Sequence, residues 1–425
     1  MQMMNEDSKT LRTLLWLGIP FLAILTLVLM LAAANRPPVV KLPPVKLPKP
    51  NGWDDLVQAT TLLIPTGPYS DATRKPEDWT ASELRKWVQT ETPAFDAMRE
   101  GLAKKCVHPP VRDFANSFDT YARLRELARC TAGRALYYKV IGKPGMAADS
   151  LVDGTETGVV IQRGAPLITG LVGNAIEMIS ICHLEPLLTR LSSDDLTRVA
   201  TRMEKISAER VSYSDILVET SRTDASEWAK AFGSGNRLVN ASDWNGQFTG
   251  CGVGSSSALA RTRYSVSFAF ANKTSMISEN RYYMEALARE QRTPYTGTSR
   301  LAVPDNPLIA LLGDTYLRGR RGFVRNETIF IILQTEIALL RYRADHGRYP
   351  SILAELSPTY LKSVLIDPFG LGKPLRYRPT NAGRSCLLYS LGSDLKDDRG
   401  KPVDPPDVAN GSPGDIVAGK LSAKP

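Results

Sequence analysis

The residues best suited to nucleophilic or metal chemistry are few in this 425-residue sequence: five cysteines and three histidines. Cys106, Cys130, Cys182, Cys251 and Cys386 include no Cys-x-x-Cys pair. The clustered soft ligands of a zinc or iron–sulfur site are therefore missing. The odd, sparse count does not suit a disulfide scaffold. Most of the five are expected to be buried free thiols. A Cys106–Cys130 bridge between neighbouring helices is the alternative in an oxidising compartment. His183 adjoins Cys182. Neighbours on a helix point about 100° apart, so the two do not face each other as a dyad. His108 precedes two prolines in a loop, and His346 closes a helix, where a cation suits the dipole.

The stretch 250–257, Gly-Cys-Gly-Val-Gly-Ser-Ser-Ser, has the glycine content of a phosphate cradle. A P-loop needs a lysine directly after its last glycine, and a dinucleotide fingerprint needs a preceding strand in a βαβ unit. Neither is present, so a flexible loop is expected. No Gly-x-Ser-x-Gly elbow, His-Glu-x-x-His or Ser-x-x-Lys motif stands in a supporting context. The sequence offers no catalytic residues and no organic cofactor site, and the reading is of a protein that is not an enzyme.

The elements that would carry any site begin with an anchor. Residues 13–34 hold no charged side chain. That length spans a hydrocarbon core of about 30 Å at 1.5 Å per residue. Pro20 is tolerated in such a helix, and Trp16 sits near one end, where a belt aromatic belongs. A cleaved signal peptide is the rival, with Ala32, Ala33 and Ala34 as small residues for cleavage, but its apolar region is shorter, about 7–15 residues. Lys9 and Arg12 precede the span, and Arg36, Lys41, Lys46 and Lys49 follow it, so charge alone does not orient it. A short tail before a large domain favours an inside N-terminus. Residues 37–50 carry six prolines and are expected to form an extended polyproline spacer.

Hydrophobic residues make up 43% and charged residues 23%, enough to bury a core. The net charge of +9 is spread along helices among acidic residues, with no basic run interleaved with aromatics. Nucleic acid is excluded as a partner. The expected organisation is a cytoplasmic tail (1–10), a transmembrane helix (11–34), a Pro-rich linker (35–53), an α-helical domain (54–305) and a small α+β module (322–425). Thr80 with Glu83 forms a capping box that opens one helix. Apolar spacing near 3.6 marks another over 121–141, which Gly142 and Pro144 end. The most apolar stretch after the anchor, 166–191, is broken by Asn174, Glu177, His183 and Glu185. A core helix, with Gly170 and Gly173 allowing close packing, is predicted there rather than a second span. Asp194 and Asp195 favour the start of the next helix. A further helix is read at 281–291. The run 167–191, followed by Leu-Ser-Ser-Asp-Asp-Leu, resembles helical domains of uncharacterised membrane-anchored proteins from planctomycete-type bacteria. That resemblance implies no activity.

The last hundred residues begin with an Ile- and Leu-rich amphipathic helix, 323–343, closed by His346-Gly347-Arg348-Tyr349-Pro350. A short helix at 351–356, Tyr360-Leu361, the turn Asp367-Pro368-Phe369-Gly370 and two alternating strands, 375–378 and 385–391, follow. This order resembles the globular half of the major pseudopilin of type II secretion systems over about 327–417. The resemblance implies a long helix on a small antiparallel sheet. It also implies a calcium site in the last loop, at Asp394, Asp397, Asp398 and Asp415. Clustered carboxylates in a flexible loop are suitable hard ligands, although the EF-hand spacing is absent. The sequence departs from that family in its anchor. About 290 residues separate the apolar span from the module, and no leader with a Gly-Phe cleavage site precedes the span. Assembly into a pseudopilus is therefore not expected, since fold is not function.

The fold class is thus mostly α, with a transmembrane helix, a helical bundle domain and a pseudopilin-like α+β module. The expected role is non-catalytic binding or scaffolding on the periplasmic side of the inner membrane, with the membrane and other envelope or secretion proteins as partners. The alternatives are an accessory component of a secretion or pilus-like machine and an envelope hydrolase with an unrecognised site.

Overall fold

The computed structural model describes residues 19–33, 36, 38–64, 66–111, 118–233, 272–402 and 414–421. The glycine-rich stretch 250–257, Cys251 and the first part of the expected span lie outside the described residues.

Among the described residues the chain forms ten helices and one small sheet. The helices are α1 (Ile19–Ala33), α2 (Gly52–Thr61), α3 (Ala81–Ala103), α4 (Phe118–Val140), α5 (Pro144–Val160), α6 (Leu167–Leu184), α7 (Ser193–Glu209), α8 (Tyr213–Gly233), α9 (Lys273–Glu290) and α10 (Pro307–His346). The sheet holds β1 (Arg376–Thr380), β2 (Ser385–Ser390) and β3 (Ile416–Val417), ordered β1-β2-β3 and antiparallel throughout. In the β1–β2 hairpin Tyr377 pairs with Leu388 and Thr380 with Ser385.

Local chemistry explains the boundaries. Thr80 caps α3 as the sequence predicts: its hydroxyl accepts the Glu83 N–H, and the Glu83 carboxylate accepts the Thr80 N–H at 2.8 Å. Ser192 and Asp195 form the same box at α7. Gly142 and Pro144 do end α4, and Pro144 immediately opens α5, because a missing N–H is harmless in a first turn. Asn306 caps α10, accepting the Leu308 N–H at 2.9 Å. The expected start of the last helix near 323 is therefore too late. The charged run around Arg318, Arg320 and Arg321 lies inside it. The expected short helix near 351–356 is a single 3-10 turn, Leu353–Leu356.

The chain divides into two compact units. The smaller comprises Met1–Leu42, Asp224–Tyr283 and Ala302–Asp314. In it the Trp228 and Phe232 rings stack at 6.0 Å, and the Asn306 amide donates to the Met276 carbonyl and to the Glu279 carboxylate, each at 3.0 Å. The larger comprises Pro43–Thr223, Met284–Leu301 and Thr315–Pro425. The gap expected between domains, near 305–322, falls largely within α10.

In the larger unit α5 packs on α4, α6 and α7. Its closest approach is to α6: a Cβ on Gly173 would lie 2.6 Å from the Gly158 carbonyl oxygen. A Cβ on Gly170 would meet the Phe323 ring at 2.6 Å. Both glycines thus serve the close packing expected of them. Asp153 on α5 is buried and accepts from Arg134 on α4 at 2.7 Å, Arg202 on α7 at 2.8 Å and Arg99 on α3 at 3.3 Å. One buried apolar cluster runs from Leu151, Val152 and Ile181 through Ile329, Phe330 and Leu333 of α10 to Phe369, Leu388 and Ile416. The sheet and the helices around α5 therefore share a core. The segment Leu167–Arg190 is long and apolar enough to cross a membrane, but 61% of its apolar window is buried in the protein. It is a core helix, as read from its interrupting polar residues.

Candidate functional site

The four aspartates of the last loop do not share one geometry. The Asp415 carboxylate is buried and accepts the Gly400 N–H at 2.6 Å and the Asp398 N–H at 3.4 Å. Burial, together with the nearby Asp397 and Asp398 charges, holds its pKa above the usual carboxylate range. One Asp398 oxygen, Oδ2, is buried without a partner. Asp397 turns outward. It accepts the Tyr389 hydroxyl at 3.0 Å and the Arg399 N–H at 2.9 Å, and lies 3.6 Å from Arg376. Asp394 accepts the Lys396 N–H at 3.2 Å and serves its own turn. Asp398 and Asp415 are thus brought together, Asp397 acts on Asp415 through its charge, and Asp394 has a local role. Among the described residues no three His, Cys, Asp or Glu side chains are placed to hold one ion. Residues 403–413 of the same loop lie outside the described residues.

The three histidines and the four described cysteines are packed among neighbouring groups. His108 is buried against Trp53, ring centres 4.1 Å apart, and burial lowers its pKa to about 4. It is neutral at pH 7. His183 hydrogen-bonds the Ile179 carbonyl, whereas Cys182 lies 3.8 Å from the Leu421 carbonyl, so the neighbours have separate partners. His346 stacks on Tyr342 at the end of α10. Cys106 and Cys130 are buried free thiols in one apolar cluster, and burial pushes both thiol pKa values up, that of Cys106 to about 12.

Sequence reading missed a cavity of about 470 Å³ in the larger unit. Its wall includes Gln162 of α5, Glu177 of α6, Arg210 and Tyr213 around the α7–α8 turn, Gln291 to Tyr295 after α9, and Arg320 to Ile331 of α10. Glu177 is fully buried. It accepts from Arg210 Nη1 at 2.5 Å and Gln162 Nε2 at 2.7 Å, and the Arg210 guanidinium lies over the Phe330 ring at 4.6 Å. Burial raises the Glu177 pKa, and Arg210 opposes the shift. The buried Tyr213 hydroxyl donates to the Tyr316 carbonyl, and Gly319 leaves room for it: a Cβ there would lie 2.5 Å from that oxygen. Glu327 also lines the cavity. The two carboxylates do not make a free acid–base pair, because Glu177 is held by Arg210 and Gln162.

A smaller cavity of about 200 Å³ lies between α10 and β2, lined by Glu336, Arg343, Tyr349 and Cys386. Burial, with a contribution from Glu185, pushes the Glu336 pKa up to about 8. Glu185 itself accepts the Gly419 and Leu421 N–H groups at 2.7 and 3.1 Å, which ties the end of the described chain to α6. The signal for both cavities was faint, since their walls join residues far apart in sequence. Against known proteins, no family model, no curated protein and no solved structure matches this chain.

Proposed function

We propose that the chain is a single-pass, membrane-anchored protein of the cell envelope with a non-catalytic, binding or scaffolding role. The observation that carries this reading is α1. Its Ile19, Phe21, Leu22 and Ile24 side chains are more than 60% exposed, at 64%, 68%, 65% and 61%. So much contiguous apolar surface is stable when lipid covers it. The proline-rich segment after it is without helix or strand over 38–50, as suits a spacer. The test is protease accessibility. Protease added to intact spheroplasts is expected to degrade the chain down to a short protected fragment. Degradation only after permeabilisation of the inner membrane would contradict the orientation.

The C-terminal region favours a second reading, an accessory of a secretion or pilus-like machine. Its support is the long α10 sharing buried side chains with a small antiparallel sheet. A calcium ion at the Asp398–Asp415 end of the loop belongs to this reading. Its support is the unpartnered Asp398 Oδ2 beside the buried Asp415 carboxylate. Asp397 and Asp394 would have to turn from their present partners to join it. Calcium would supply a positive charge that offsets carboxylate repulsion and fixes the loop. Added calcium is expected to raise the melting temperature of the full chain in detergent, and chelator to reverse the rise. An unchanged melting temperature at millimolar calcium would remove the metal.

A further inference from the structure

The larger cavity holds a cation that makes no ion pair among the described residues. Arg320 is 6% exposed, and among the described residues its side chain makes one hydrogen bond, from Nη2 to the Thr293 carbonyl at 2.8 Å. The guanidinium also lies 5.3 Å from the centre of the Tyr295 ring. No ion pair forms at Arg320 among the described residues. Glu290 contributes the leading acidic field there, but it directs Oε2 to the Ser299 hydroxyl and Oε1 to the Arg300 N–H, both at 2.6 Å. A guanidinium presents five N–H donors, and a buried charge is ordinarily paired. Gln291 also lines this cavity, and it has both amide atoms, Nε2 and Oε1, buried and without partners among the described residues. Arg292 adds a further positive charge, with its Nε donating to the Ser214 hydroxyl at 3.2 Å.

The rest of the wall sets the ligand's body and charge. Tyr295, Phe323, Phe330, Ile331 and Pro368 are apolar or aromatic. Arg210 is already satisfied by Glu177, so the free donors lie on the Gln291–Arg320 side. Glu177 of α6 and Glu327, further along α10 from Arg320, also line the cavity and disfavour a multiply charged ligand such as phosphate. We propose that this cavity binds a small organic carboxylate with an apolar or aromatic body, its carboxylate on Arg320 and the Gln291 amide and its body against Phe323, Phe330 and Ile331. This site does not depend on the membrane anchor or on calcium. The volume lies within the usual range for small-molecule pockets, roughly 300–1,000 Å³.

The test is calorimetric titration of the full chain in nanodiscs with naphthalene-2-carboxylate and with its uncharged amide. Saturable binding of the carboxylate, with the amide at least about tenfold weaker, is expected, since loss of a charged hydrogen-bonded contact is worth about that factor or more. Arg320→Gln should weaken the carboxylate about tenfold and leave the amide unchanged. Gln291→Leu loses no protein partner, so it should fold with unchanged melting and still weaken the carboxylate. Both variants share any partition of the probe into lipid, which separates lipid uptake from binding. Equal affinity for acid and amide, or full affinity in Gln291→Leu, would overturn the proposal. So would an absence of saturable binding at millimolar probe, or displacement of the carboxylate by inorganic phosphate at lower concentration.

Discussion

Glu336 sits on α10 with one carboxyl oxygen, Oε2, buried and unpartnered. Its pKa of about 8, raised chiefly by burial and further by Glu185, makes folding stability depend on pH. Below the unfolded value, near 4.5, both states hold the proton and Glu336 adds no pH dependence. Between there and about 8 the folded state holds a proton that the unfolded state releases, so stability falls as pH rises. The loss is on the order of a few kcal/mol, discounted for the partial exposure of the side chain. Glu336→Gln is expected to match the parent near pH 4 and to exceed it near pH 9 in urea denaturation. Equal stability at both pH values would show that Glu336 ionises freely. Single residues were legible where the reading was local. The separate fates of Cys182 and His183 followed from helix geometry, and the four loop aspartates were singled out only by the pseudopilin resemblance. The Glu177–Arg210 pair was not legible, because its partners lie on α6 and just beyond α7. Neither was the placement of Arg320 and Gln291 on the wall of one cavity. Burial of a charge depends on contacts between distant segments, which spacing does not encode.

At the scale of elements, caps and glycines carried the most information. The Thr80–Glu83 box and Asp195 marked helix starts correctly because capping is satisfied within four residues. Boundaries set by tertiary contacts were harder. The 307–322 part of α10 is broken by three glycines and carries an arginine run in sequence, yet it belongs to the helix, with Gly319 making room for Tyr213. The glycines of α6 lead to a prediction. In Gly173→Ala the new methyl would lie 2.6 Å from the Gly158 carbonyl oxygen, and backbone cannot step aside cheaply. A loss of about 1–3 kcal/mol is expected in urea denaturation. Gly322→Ala is the contrast. Nothing lies within 4 Å of its Cβ, so the helix should gain up to about 1 kcal/mol from propensity. Full stability in Gly173→Ala would refute the close α5–α6 approach.

For the whole molecule, composition already required a substantial core, and helical periodicity required that most of it be helical. The expected boundary near 305–322 drew on the end of one pattern and the start of another. The structure instead runs α10 across that gap and joins its apolar face both to α5–α7 and to the β1–β2 hairpin through one buried cluster. The C-terminal region is therefore part of the larger unit's core rather than a separate bead. The apolar face of α1 has the opposite character, with Ile19 to Met30 largely exposed, and it is what the membrane reading rests on. The most direct measurement is membrane fractionation of cells expressing the intact chain and a variant lacking residues 1–36. The intact chain is expected to pellet with membranes and resist alkaline carbonate, and the variant to be released. Recovery of the intact, uncleaved chain in the soluble fraction would contradict the anchor and the envelope role built on it.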